Sequence, residues 1–231
     1  MNIITVTLNP AYDIHCTVTD FVPFAENYAD AVSRSCGGKG INISKMLNEL
    51  SVSNEACIVL GRENAAYFEE YLKNYRCKKF YTNGAIRENI TVHSPEKKET
   101  RISADSFSVS PKLFSEVSDY ILSRSGSGAI VAFSGRLPRG VEKNAVLKFF
   151  ERLQNSGALL SLDSNSFSAE ELIRLKPWFI KPNEQELASL RRISSPEDEL
   201  RCAEMLHRSG IANVMLSLGE RGCVFSGGGK L

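Results

Sequence analysis

Polar residues that could bind or activate a ligand recur directly after short apolar segments of this sequence. The five clusters are TLNPAYD with Asp13, SGRLPRG with Arg136 and Arg139, DSNS with Asp163, KPNEQE with Lys181, Asn183, Glu184 and Glu186, and SLGERG. Carboxylates bind hydroxyls and hard metal ions, whereas guanidinium groups bind phosphates. If the apolar segments are parallel strands, their carboxyl ends meet at one edge of the sheet, where open α/β proteins bind ligands. The pattern predicts a single binding cleft.

A glycine-rich segment, CGGKGIN, precedes a run of apolar residues with helical spacing. The segment is not a Walker loop, which requires G-x-x-x-x-G-K-[ST]. It is not a G-x-G-x-x-G dinucleotide loop either, because Ile43 occupies the last position. Glycines let a backbone approach a ligand closely, and a helix N-terminus offers free N–H groups to an anion. From the residues alone, this segment is either an ordinary turn or an anion-binding loop.

Strand-like and helical segments alternate along most of the chain. The predicted strands are ITVTL, EACIVLG, AIVAFSG, ALLSLD, WFIKPN and NVMLSLG. Four helices are predicted between these strands. The first begins near Gly40, with apolar residues at Ile43, Met46, Leu47 and Leu50, and the second spans 65–75. The third follows the cap Ser110-Pro111, with apolar residues at Phe114, Val117 and Ile121, and the fourth includes Val146, Phe149, Phe150 and Leu153. This alternation predicts an α/β fold with a mostly parallel sheet covered on both faces.

Residues 14–35 and 86–104 break this alternation. They contain short strand-like segments (IHCTV, NITVHS and ETRIS) with no helix between them. Strands joined without a helical crossover pair antiparallel. We therefore expect a small β lid, inserted at two places into one domain spanning 1–231. The alternative is a set of surface hairpins without a gating role.

Composition and charge exclude several function classes. The 231 residues carry a net charge of +1, which gives no general attraction to nucleic acid or to a membrane surface. No secretory signal or membrane-spanning segment is visible, so a cytoplasmic protein is expected. The six cysteines form no C-x-x-C pair and there are three histidines, so no zinc spacing can be assembled. Reduced, mostly buried thiols are expected.

Seven segments occur in an order that is typical of one enzyme family. They are TVTLNPAYD, GGKGIN, IREN, SGRLP, DSNS, KPNEQEL and SLGERG. In this order and approximate spacing the chain resembles, almost end to end, the PfkB (ribokinase-like) carbohydrate kinases. It is most similar to the hexose-phosphate branch, which includes 1-phosphofructokinases and tagatose-6-phosphate kinases. The resemblance implies a ribokinase-like three-layer sandwich with a mostly parallel sheet and a small β lid.

The resemblance also implies that the glycine loop binds the sugar rather than the nucleotide. The matching substrate positions are Asp13, Gly37, Gly38, Lys39, Asn42, Arg87 and Arg136. Asp13 would accept hydrogen bonds from sugar hydroxyls, and Arg87 would hold the phosphate already on the sugar. Lys39 and Arg139 either add charge or are solvated surface cations. Arg136 stands where the family has a small residue, and either assists phosphate binding or points to solvent.

Other matching positions belong to ATP and Mg²⁺. The nucleotide positions are Lys181, Asn183, Ser217, Gly219 and Gly222, and the metal position is Glu186. Asn183 and Glu186 could equally form a helix capping box. The two glycines could equally form a tight hairpin. Two further departures from the family pattern are Ser166 in place of a glycine and the absence of threonine before Arg87.

The family pattern continues, beyond SLGERG, to a Gly-Ala-Gly-Asp segment that supplies the catalytic base and an anion hole. These 231 residues contain no such segment. The resemblance therefore predicts an incomplete, inactive kinase. The expected activity of the complete enzyme is ATP-dependent phosphorylation of a ketohexose phosphate, with fructose 1-phosphate giving fructose 1,6-bisphosphate. The alternatives are a tagatose-6-phosphate kinase and a non-catalytic sugar-phosphate-binding protein. A homodimer through the lid is also expected, and neither nucleic acid nor membrane is an expected partner.

Overall fold

The computed structural model describes residues 2–95, 99–184, 186 and 196–228. In chain order its strands are β1 (Ile3–Thr7), β2 (Ala11–Thr17), β3 (Ala31–Gly37), β4 (Glu55–Gly61), β5 (Cys77–Thr82), β6 (Arg87–His93), β7 (Glu99–Ser103), β8 (Ile130–Ser134), β9 (Leu159–Asp163), β10 (Phe179–Ile180), β11 (Asn213–Ser217) and β12 (Cys223–Gly227). Its helices are α1 (Lys39–Glu49), α2 (Ala66–Tyr71), α3 (Pro111–Arg124), α4 (Lys143–Asn155), α5 (Ala169–Leu175) and α6 (Pro196–Arg208).

The main sheet has eight strands in the order β12-β11-β10-β9-β8-β1-β4-β5. All neighbours are parallel except β11 and β12, which form an antiparallel hairpin. Every residue of β1 and β4 is buried, because helices cover both faces of the sheet. The predicted α/β class is confirmed, and the six predicted strands are present, with WFIKPN reduced to Phe179–Ile180. The two edge strands, β5 and β12, were not predicted. Their sequences do not form continuous apolar runs, because β5 contains two lysines and β12 begins with an exposed residue.

Four strands form a separate lid sheet in the order β3-β2-β6-β7. The β2–β3 and β6–β7 pairs are antiparallel hairpins, and β2 and β6 lie parallel to each other. The predicted lid is confirmed, although its first strand begins at Ala11 rather than near residue 14. Asp13 lies opposite Asn89 in this sheet, and residues in register share a face. Asp13, from the polar cluster that follows β1, and Asn89 of β6 therefore lie on the same face of the lid, which we call the inner face.

Helix α1 buries a different face from the one that the sequence predicts. Met46 and Leu50 are exposed, and the buried residues are Gly40, Ile41 and Ser44. A Cβ at Gly40 would lie 2.4 Å from the Oγ1 of Thr7 and 2.6 Å from the carbonyl oxygen of Val6. The missing side chain thus lets α1 pack directly on β1, which brings its N-terminus to the carboxyl end of that strand.

The predictions for α3 and α4 are confirmed. Ser110 caps α3 by accepting a hydrogen bond from the backbone N–H of Leu113. The predicted apolar residues of both helices are buried: Phe114, Val117, Ile121, Val146, Phe149, Phe150 and Leu153. Together with the strands they form one continuous core.

The six cysteines are all thiols rather than halves of disulfides, as expected, and three of them are buried: Cys36, Cys57 and Cys202. Burial raises the pKa of Cys36 to about 12, so this thiol stays protonated near neutral pH. Within the described ranges, no helix is both long and apolar enough to cross a membrane.

Candidate active site

A cleft of about 440 Å³ lies between the inner face of the lid and the carboxyl ends of the central strands. Its lining residues are Thr7, Asn9, Ala11, Asp13, Gly38, Lys39, Asn42, Arg87, Asn89, Arg101, Ser134, Gly135, Arg136 and Asn165. Six of the seven predicted substrate residues are among them. The seventh, Gly37, lies directly against the carboxylate of Asp13. The structure therefore brings the whole predicted substrate set together.

Asp13 projects into this cleft from β2 and is held from two sides. Its Oδ1 accepts a hydrogen bond from the Nδ2 of Asn89 at 2.8 Å and lies 3.5 Å from the Nη2 of Arg101. A Cβ at Gly37 would lie 2.0 Å from the other carboxylate oxygen, so only glycine leaves room for Asp13 here. Sequence reasoning missed Asn89 and Arg101. Their alternation with Arg87 and Ser103 along β6 and β7 is the signal that places them on the inner face.

The glycine loop closes the floor of the cleft. Gly38 has a φ of 138°, a conformation that favours glycine, and precedes the first residue of α1. No side chain caps this end of α1. The first backbone N–H groups are therefore available to a ligand, and Asn42 adds a side-chain amide one turn later.

Arginines dominate the lid end of the cleft. Arg87 is half-buried, and its buried Nε has no hydrogen-bond partner in the part of the chain that the structure describes. Burial lowers the pKa of Arg87, and the positive charges of Arg101 and Arg136 lower it further. The negative charge of Asp13 acts in the opposite direction. Arg139 is not a freely solvated cation, because it donates to the carbonyl oxygen of Ser106 at 2.8 Å and pairs with Asp105 at 3.3 Å. The local excess of positive charge suits an anionic ligand.

Lysines and carboxylates form a second charged group in a pocket beside the cleft, and Lys39 connects the two. The Nζ of Lys39 lies 2.7 Å from the Oδ1 of Asp163 and 3.5 Å from the Oε1 of Glu186, and Lys181 lies 3.8 Å from the other oxygen of Asp163. Burial would lower the pKa of Lys39, but the two carboxylates outweigh it, so the pKa is raised. Lys39 is thus engaged with Asp163 and with Glu186, the predicted metal position, rather than free in solvent.

The capping-box interpretation of Asn183 and Glu186 is confirmed. The backbone N–H of Asn183 donates to the Oε2 of Glu186 at 3.0 Å, and the N–H of Glu186 donates to the Oδ1 of Asn183 at 2.8 Å. The other oxygen of Glu186, Oε1, lies 3.5 Å from the Nζ of Lys39. Over the residues that the structure covers, no group of three or more His, Cys, Asp or Glu side chains could hold a metal ion. Two hard carboxylates do fit Mg²⁺, which keeps several waters and binds through few protein ligands.

The remaining nucleotide positions follow β11. The backbone N–H of Ser217 donates to the carbonyl oxygen of Pro182 at 3.0 Å, which joins this strand end to Asn183. Gly219 and Gly222 have φ values of 56° and 87° in the turn before β12, so the tight-hairpin interpretation is correct. A Cβ on either glycine would meet nothing within 4 Å. The surface beside this turn is open and can receive a ligand.

The geometry agrees with three comparisons with known proteins. The model of the pfkB family of carbohydrate kinases matches residues 6–231. A 1-phosphofructokinase from Haemophilus influenzae is 29% identical over 97% of this chain and 73% of its own. A tagatose-6-phosphate kinase from Staphylococcus epidermidis is 30% identical over 95% of this chain and 73% of its own.

A solved structure has the same fold. Phosphofructokinase-2 from Escherichia coli, in complex with fructose-6-phosphate, superimposes with a TM-score of 0.90 over 99% of this chain and 78% of its own, at 24% identity. The predicted ribokinase-like fold is thereby confirmed, and so is the family. This chain belongs to the pfkB family of carbohydrate kinases.

Proposed function

We propose that these residues form the substrate and nucleotide sites of a kinase that phosphorylates a ketohexose phosphate with ATP, fructose 1-phosphate being the first candidate. One observation carries the proposal: a cleft with an arginine-rich end and a hydroxyl-binding carboxylate is joined, through Lys39, to the carboxylates of a neighbouring pocket that also contains Lys181. A phosphorylated sugar requires the arginines and the carboxylate of the cleft. Phosphoryl transfer from a nucleotide requires the charged groups of the pocket.

The roles follow from the order of these groups along the cleft and the neighbouring pocket. Arg87 holds the phosphate that the sugar carries, and Asp13, oriented by Asn89, accepts hydrogen bonds from the sugar hydroxyls. The glycine loop offers backbone N–H groups to the sugar. Lys39 and Lys181 neutralise the phosphates of ATP, whose adenosine part lies beside Ser217, Gly219 and Gly222.

Mg²⁺, when bound, would reduce the negative charge of the ATP phosphates. Asp163 and Glu186 are the residues that would hold it, largely through waters. Catalysis in such a transfer depends on positioning and on stabilising charge. The lysine–carboxylate contacts serve this by fixing the side chains before the ligands arrive.

Two rival functions remain open to experiment. A tagatose-6-phosphate kinase would use the same cleft on a different ketohexose phosphate, and one relative has that name. A non-catalytic binding protein would need the sugar end of the cleft and no nucleotide end. The contacts of Lys39 with Asp163 and Glu186 favour a kinase over a simple binder.

Calorimetric titration tests the proposal directly. The ligands are fructose 1-phosphate, tagatose 6-phosphate, fructose 6-phosphate, unphosphorylated fructose, and ATP with and without Mg²⁺. We expect one phosphosugar to bind better than the others, fructose to bind poorly, and ATP to bind better with Mg²⁺. Failure to bind ATP in any combination would favour the non-catalytic rival. Failure to bind every phosphosugar would overturn the proposed function.

Asp13→Asn is expected to weaken binding of the phosphosugar and to leave ATP affinity nearly unchanged. The amide keeps the shape of the side chain but loses the charge that strengthens hydrogen bonds from sugar hydroxyls, a loss of about 1.5–3 kcal/mol. Titrations with both ligands measure this. An equal loss of ATP affinity would show that Asp13 does not belong to the sugar end.

We also propose that the protein acts in the cytoplasm.

We further propose that two copies of the chain pair through the outer face of the lid. The outer face includes Ile14, Ile90, Val92, and the exposed side chains of Val32 and Ile102. Pairing two such faces would remove apolar surface from water. The expected solution mass is that of a dimer, measured by light scattering; a monomer at micromolar concentration would contradict it.

A further inference from the structure

A side chamber of about 110 Å³ opens from the candidate active site between the segment that follows β7 and the SGRLPRG loop that follows β8. Its polar lining includes Asn9, Arg87, Asp105, Ser106, Arg136 and Arg139. Three of these, Asn9, Arg87 and Arg136, also line the main cleft. The chamber is therefore a branch of the substrate cleft rather than a separate pocket.

Three polar atoms of the chamber lining are buried without a hydrogen-bond partner among the described residues. They are the Oδ1 of Asn9, the Nε of Arg87 and the Oγ of Ser106. Buried polar atoms in native proteins nearly always have a partner. Three such atoms around one small chamber are thus left to bind water or a polar ligand.

The charges of the lining define that ligand. Three arginines face one carboxylate, Asp105, which already pairs with Arg139. Arg139 also donates to the carbonyl oxygen of Ser106, so it is committed to the chamber wall. Arg136 is exposed and makes no hydrogen bond or ion pair with the residues that the structure describes. Two guanidinium groups, Arg87 and Arg136, are thus left for an anion.

We propose that Arg136 is a specificity-determining residue, which joins Arg87 and Ser106 in binding the phosphate of the incoming sugar as its dianion. This inference rests on the proposed function and adds to it. Two guanidinium groups and a hydroxyl donate to the phosphate oxygens. Asn9 offers its Oδ1 to a neighbouring sugar hydroxyl. Arg139 is a positioning residue, because its contacts with Asp105 and Ser106 hold the wall that carries the Ser106 hydroxyl.

The effect of Arg136 can be isolated by replacing it with a small polar side chain. Arg136→Ser is expected to weaken phosphosugar binding by roughly 10- to 100-fold, the range for losing a charge-assisted hydrogen bond. Arg136→Lys should recover part of the affinity, because it keeps the charge and loses the planar fork. Affinity for ATP should stay constant in both variants. The loss should also shrink at high salt.

The experiment is a calorimetric titration of fructose 1-phosphate and tagatose 6-phosphate into wild type, Arg136→Ser, Arg136→Lys and Ser106→Ala. Arg152→Ser is the matched control, because Arg152 is an equally exposed arginine of α4 that pairs with Asp119. Thermal unfolding of each variant checks that it is folded. Repeating the titrations between pH 5.5 and 7.5 follows the second ionisation of the phosphate, with a pKa of about 6.

We expect wild-type affinity to rise with pH as the dianion forms, and this rise to be smaller in Arg136→Ser. Equal affinity and equal pH dependence of wild type, Arg136→Ser and the Arg152→Ser control would show that Arg136 is merely solvated, and would overturn the inference. Weaker binding in Arg136→Ser with an unchanged pH dependence would also overturn it. A wild type that binds no phosphosugar would instead refute the proposed function.

Discussion

Replacing Arg87 by alanine is expected to weaken phosphosugar binding by about 2–5 kcal/mol, the cost of truncating one partner of a desolvated charge pair. Arg87 is half-buried at the lid end of the cleft, and its Nε has no partner within the described protein. Nearby Arg101 and Arg136 make this charge more costly without an anion. A bound phosphate removes that cost. The loss of Arg87 should therefore weaken binding of the phosphosugar and leave binding of ATP almost unchanged.

Titration of fructose 1-phosphate and ATP into the folded variant measures the effect. Arg152→Ala is the matched control, because Arg152 is an exposed arginine of α4 that pairs with Asp119 at 3.5 Å and does not line the cleft. Arg87→Lys should fall between wild type and alanine, since a lysine keeps the charge but cannot donate two parallel hydrogen bonds. Unchanged phosphosugar affinity in folded Arg87→Ala would show that the phosphate is not held by this residue.

Phosphoryl transfer by the 231-residue chain is expected to be close to background even when both ligands bind. Transfer needs a base for the attacking hydroxyl and donors for the moving phosphoryl group, worth roughly 10²–10⁴ and 10²–10³ in rate, respectively. No Gly-Ala-Gly-Asp segment is present in this sequence. The two aspartates at the site are already engaged, Asp13 with Asn89 and Asp163 with Lys39.

A coupled assay for ADP release, with fructose 1-phosphate and tagatose 6-phosphate as acceptors, measures this rate. The intact mass of the protein confirms that the assayed chain ends at Leu231. Rapid turnover would contradict the expectation and would mean that one of the two aspartates acts as the base. Comparing Asp13→Asn with Asp163→Asn would then identify it, because the true base loses rate at saturating substrate.

Much of the fold was readable from local patterns. Buried central strands are visible in the sequence as continuous apolar runs. Helix α3 is predicted by the cap Ser110-Pro111 and by an apolar residue at every third or fourth position. These signals depend on residues only a few positions apart. The sequence pattern failed at α1, where Gly40 and Ser44 rather than Met46 and Leu50 face the sheet. A close backbone approach cannot be read from hydrophobicity.

By itself the sequence determined the family, the α/β class, the two-part lid and the strand-end motifs, because each is encoded in a short contiguous segment. Only the tertiary structure decided which of these residues meet. Asp13 and Asn89 are 76 residues apart and meet because β2 and β6 pair in one register. Lys39 and Asp163 are 124 residues apart and meet because β1 and β9 flank β8 in the same sheet. Such contacts depend on strand order and on burial, which local sequence patterns do not carry.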